Sequence, residues 1–125
     1  MNVTLLNPVH RSELAARLAK LSNQDLETKD NGRYVAVKIG IGPNSNVISV
    51  FPDHVSFFIR STDTLKRAGL EGFNPELPKV TSPRNKEKFQ FGGLSVSEID
   101  AHEDLFREIV DESVKVVTDR KPKRR

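Results

Sequence analysis

The stretch YVAVKIGIGPNSNVISVFPDHVSFFIR, residues 34–60, decides the fold. Its first part alternates, with Val35, Val37, Ile39 and Ile41 on one side of an extended chain and Tyr34, Ala36 and Lys38 on the other. The turn formers Gly42-Pro43-Asn44-Ser45-Asn46 follow, and Val47–Phe51 then predicts a second strand. Pro52-Asp53 makes another turn. A third strand, Val55–Arg60, places Phe57 and Phe58 on opposite faces. Connections this short join antiparallel neighbours, so the three strands predict a meander.

Helical signals flank this meander. Upstream, Asn7-Pro8 is a cap followed by proline at the first helical position, where a missing N–H costs nothing. Leu14, Leu18 and Leu21 then fall four and three apart, one face of a helix reaching about Leu21. The polar run Asp25–Arg33, with the turn signal Asp30-Asn31-Gly32, reads as a loop. Downstream, Ser61 or Thr62 caps a short helix through Leu65 to Ala68, which Gly69 stops. Leu70–Pro83 is rich in Pro and Gly and reads as irregular.

The segment Lys86–Gly92 alternates again, with Phe89 and Phe91 on one face, and Gly92-Gly93 turns the chain into a last short strand at Leu94–Val96. Asp100 and Glu103 have the spacing of a capping box. The closing helix runs to about Val117 and buries Phe106, Ile109, Val110, Val114 and Val117. The expected fold is α+β: a mainly antiparallel sheet of four to five strands, packed on one face by N-terminal and C-terminal helices. It forms one domain over residues 1–118, followed by a flexible basic tail at 119–125.

Composition agrees with a globular domain, since 36% hydrophobic residues against 30% charged ones are enough for one modest core. No run approaches the roughly 18 apolar residues of a membrane span, so no membrane partner is expected. Residues Met1–Leu6 have neither the basic start nor the apolar stretch of a signal peptide. The absence of cysteine removes disulfides, thiolate zinc sites and cysteine nucleophiles together. A cytoplasmic location is expected.

The net charge of +3 is unevenly placed. The last six residues, Arg120–Arg125, hold five of the 20 basic residues and no acid, which leaves 15 basic against 17 acidic residues elsewhere. Any case for a polyanion partner therefore rests on local patches.

Catalytic signatures do not assemble. Asp53 and Glu27-Thr28-Lys29 contain the residue types of a metal-dependent nuclease, but the Glu-x-Lys precedes the Asp, so they read as turn and loop charges. His102 stands among Asp100, Glu103 and Asp104, where acids favour a helix start without any metal. His10 and His54 have no ligand-spaced partner. Gly40-x-Gly42 leads toward a strand and not the helix a phosphate cradle needs, and no serine sits in a Gly-x-Ser-x-Gly elbow. The sequence predicts no enzyme, metal or cofactor.

Two basic features remain. Residues Lys79–Lys88 carry Lys79, Arg84, Lys86 and Lys88 against the single acid Glu87. The tail carries Arg120, Lys121, Lys123, Arg124 and Arg125, broken by Pro122. Both can neutralise phosphates with no base readout, so the leading expectation is a small accessory protein contacting nucleic acid. The alternative is a protein-interaction module, an inhibitor or assembly factor. It would use the acidic closing helix (Glu103, Glu108, Asp111), where Arg107 is the one basic residue between Glu98 and Glu112, together with Phe73 in an exposed loop. Phe57, Phe58, Phe89 and Phe91 read as core residues before they read as base-stacking ones.

Overall fold

The computed structural model describes residues 8–40, 46–78 and 87–120, with side chains for residues 10–40, 46–78 and 87–119. Helix α1 (Pro8–Leu21) leads into strands β1 (Glu27–Asp30), β2 (Val35–Lys38), β3 (Asn46–Val50) and β4 (His54–Phe58). Helix α2 (Thr62–Leu70), strand β5 (Lys88–Gly92) and helices α3 (Val96–Ala101) and α4 (Glu103–Arg120) complete the chain. The strands form one antiparallel sheet in sequence order, β1-β2-β3-β4-β5. The predicted α+β architecture is the observed one, with α1 and α4 packed against one face of the sheet.

Alternation produces that face. Val35 and Val37 of β2, Ile48 and Val50 of β3, Val55 and Phe57 of β4 and Phe91 of β5 point toward the helices and are buried. Leu14, Leu18 and Leu21 of α1 meet them, as do Phe106, Ile109, Val110 and Val117 of α4. Phe106 sits among Phe57, Phe73 and Phe91 at centroid distances of 6.2, 5.2 and 6.0 Å, which makes it the hub of an aromatic cluster. Val47 marks an irregularity in the β2–β3 register: Val37 faces Ile48 while Lys38 faces Asn46, so the extra residue also turns into the core.

Several local expectations are corrected. The polar run at Asp25–Arg33 contains strand β1, all four residues of which are exposed. Its pairing follows from the turn: Asp30 Oδ1 accepts from Gly32 N, Asn31 Oδ1 accepts from Arg33 N and Tyr34 N, and Gly32 takes a φ of 93°. A charged edge strand of this kind also resists pairing with other chains. Gly69 does not stop α2. The helix ends in a Schellman motif, in which Phe73 N donates to Ala68 O, Gly72 N donates to Gly69 O and Gly72 has a φ of 97°. The residue after that glycine turns back toward the helix, so Phe73, expected in an exposed loop, is buried against Phe91 and Phe106.

The segment at Leu94–Val96 is not a strand but the entry to α3. The capping pair is Ser95 and Glu98, with Ser95 Oγ accepting from Glu98 N at 3.3 Å. Asp100 therefore lies inside α3 and Glu103 opens α4, with His102 at the break between them. Ser95→Ala should lower stability by about 1 kcal/mol in a denaturant titration, whereas Ser97→Ala, two residues along and exposed, should change it little. Helix α4 runs through Arg120, two residues past the expected domain boundary.

Candidate nucleic-acid interface

Of the nine basic residues singled out, Lys88 alone lies among those whose side chains are described. Lys79, Arg84, Lys86, Lys121, Lys123, Arg124, Arg125 and the Arg120 side chain fall outside them. The points where both basic segments join the fold are described, and they meet. Arg60, just past β4, donates from Nε to Glu87 and from Nη1 to Asp119 Oδ2 at 2.8 Å. Glu87 immediately precedes β5 and is the last residue before Lys88; Asp119 immediately precedes Arg120. Ile59 N donates to Glu87 O at 2.7 Å, and Ser113 Oγ of α4 accepts from Phe58 N at 3.0 Å, so backbone contacts brace the same corner. These two hydrogen bonds to carboxylates push the Arg60 pKa further up, and the side chain holds its charge throughout.

Residues 79–86 and 120–125 together carry eight of the 20 basic residues and none of the 17 acidic ones. The rest of the chain therefore has 12 basic against 17 acidic residues. A body of net negative charge has its two purely basic segments attached at one corner.

The acidic helix face is less acidic than its sequence. Glu103 accepts from Arg107 at 2.6 Å and lies 3.7 Å from Arg17 of α1, which itself bonds Asp100 at 2.6 Å. Glu108 accepts from Arg67 of α2 at 2.6 Å. Asp111 is exposed. Arginines from two other segments, α1 and α2, thus reach the acids that Arg107 alone was expected to balance.

The face of the sheet turned away from the helices holds residues that the sequence reading did not single out. Tyr34, Phe51 and His54 form a row of rings at one end, with centroids 4.8 Å apart for Tyr34–Phe51 and 4.5 Å for the stacked Phe51–His54 pair. The Tyr34 hydroxyl accepts from Asn46 Nδ2 at 3.3 Å, and Ala36, beneath that span, is buried. Phe58, Lys38 and Lys88 share this face at its other end, while Phe57 and Phe91 are core residues. A tyrosine, a phenylalanine and a histidine spread over residues 34–54 show no common spacing; only the β2–β3–β4 register gathers them.

No family model, curated protein or solved structure matches this chain.

Two further polar groupings belong to the helix layer. A cleft of about 380 Å³ is lined by Arg67, Glu71, Asp100, His102, Glu103 and Asp104. His102 Nδ1 lies 2.6 Å from Glu71 Oε1, and this hydrogen bond is the main reason the Glu71 carboxyl is held below its usual range, with Arg67 adding to it. Among the described residues no three His, Cys, Asp or Glu side chains are placed to hold a metal ion, and no helix is long and apolar enough to cross a membrane.

Glu112 of α4 accepts from Ser61 N at 3.2 Å, but burial outweighs this bond and pushes its pKa above the ordinary 4.5. A carboxyl with a raised native pKa costs nothing below pH ~4.5, where both states are protonated, and it costs stability as the pH rises through the native value. Glu112→Gln should therefore raise the denaturant midpoint at pH 7 and lose that advantage by about pH 4.

Proposed function

We propose that this protein is a small non-enzymatic accessory protein that grips nucleic-acid phosphates with residues 79–88 and 120–125. The observation that carries the reading is the Arg60 bridge to Glu87 and Asp119, which roots both basic segments at one corner of the fold. Cations joined to one place can lie along one phosphate backbone, so their counterion-release contributions add. The protein-docking alternative loses support, because Phe73 is in the core and Glu103 and Glu108 are already paired.

Fluorescence anisotropy with labelled duplex and single-stranded oligonucleotides over a salt series tests the proposal. With all nine cations of the two segments engaged on duplex, the slope of log K against log salt should approach about −8. Failure to bind any polynucleotide at low salt would end the proposal.

A further inference from the structure

The helix-free face of the sheet combines two features that single-stranded nucleic acid uses, aromatic rings and unpaired cations. Lys29, Lys38 and Lys88 all point to this face, since Lys29 is opposite Ala36, Lys38 opposite Asn46 and Lys88 opposite Phe58 in the register. None of the three lysines forms an ion pair among the described residues, whereas Arg17, Arg60, Arg67 and Arg107 all do. The acids on this face lie at its margins. Glu27 is on the edge strand, opposite Lys38 in the register without forming an ion pair with it, Glu76 bridges the outer side of β5, and Asp53 is held 2.8 Å from His54 Nδ1.

The row of rings has an open end. Tyr34 lies toward Ala36, Phe51 is in the middle, and His54 faces Gly92 across the β4–β5 ladder. Gly92 has no side chain to cover the outer flank of His54, and a Cβ built there would meet nothing within 4 Å. Lys88 lies four residues along β5 from Gly92, about 13 Å at the usual rise, at the end where Glu87 and Arg60 anchor the basic segments.

From this placement we infer that the helix-free face binds single-stranded nucleic acid, with one unpaired base stacking on His54 above Gly92 and the backbone crossing toward Lys38 and Lys88. This rests on the phosphate-binding reading and narrows it to strands whose bases are free. A duplex keeps its bases stacked on one another and can satisfy the basic segments alone.

The test is binding of the full chain to labelled dT12, rU12 and a 12-base-pair duplex at one low salt concentration. Either single strand should bind at least tenfold more tightly than the duplex. His54→Ala should weaken single-strand binding about tenfold, the effect of one lost base–ring stack, and leave duplex binding unchanged. Gly92→Val should do the same by filling the space beside the ring. Gly92 has an ordinary strand φ and open surroundings, so this second variant folds even if the first does not. Equal affinity for single strand and duplex, or two neutral substitutions, would overturn this inference and leave the phosphate reading standing. No binding to any of the three probes would remove both.

Discussion

Deleting residues 121–125 should cut affinity for duplex DNA on the order of 10³-fold at 0.1 M salt and leave the folded domain as stable as before. The deletion removes Lys121, Lys123, Arg124 and Arg125, four of the nine cations on residues 79–88 and 120–125. Each phosphate contact contributes about 0.9 to the salt slope, so the slope should fall from about −8 to about −4.5. The cut spares α4 and the Arg60–Asp119 bridge, so a change in unfolding midpoint is not expected. Anisotropy across a salt series gives affinity and slope together. A slope that stays near its original value would mean the tail makes no phosphate contact.

Phe106→Ala should be the most damaging single core substitution, costing about 3–5 kcal/mol in a denaturant titration. Phe106 is completely buried, and its ring contacts the rings of Phe57, Phe73 and Phe91, so its removal leaves a cavity walled by three large rigid groups. Such walls collapse poorly, which places the cost high in the range. Phe73→Ala acts on the same cluster, so the double variant should cost less than the two single effects added together. A loss near 0.5 kcal/mol for Phe106→Ala would contradict the packing described here.

What was legible in the sequence was whatever alternated or repeated with helical spacing. The strands over residues 34–60 and the leucine and valine stripes of α1 and α4 carry their burial in their pattern, and the fold followed from them. Strand β1 has no apolar residue, so periodicity was silent, and its existence depends on the Asp30–Tyr34 turn. Phe73 was misplaced for a stereochemical reason. Gly69 and Gly72 both resemble helix stops, and only the second takes the positive φ that sends the following residue inward. At the capping box, Asp100/Glu103 and Ser95/Glu98 have the same spacing, and the three-dimensional break at His102 separates them.

The candidate site was legible in its charges and not in its assembly. Lys79–Lys88 and Arg120–Arg125 stand out as basic runs, but Arg60 bonds partners 27 and 59 positions away, a relation no local pattern encodes. The same long-range pairing hid the counter-charges of α4, which come from α1 and α2. Tyr34, Phe51 and His54 became neighbours only through strand register, which lines up the residue before β2, the residue after β3 and the first residue of β4 in one row.

Lysine footprinting tests the central claim most directly: acetylation of the full chain by a small reagent, with and without bound oligonucleotide, read residue by residue by mass spectrometry. Lys79, Lys86, Lys88, Lys121 and Lys123 should be protected together, while the exposed lysines of the helix layer, Lys20, Lys66 and Lys115, should react as in the free protein. Protection of the helix-layer lysines, or of one basic segment without the other, would contradict it.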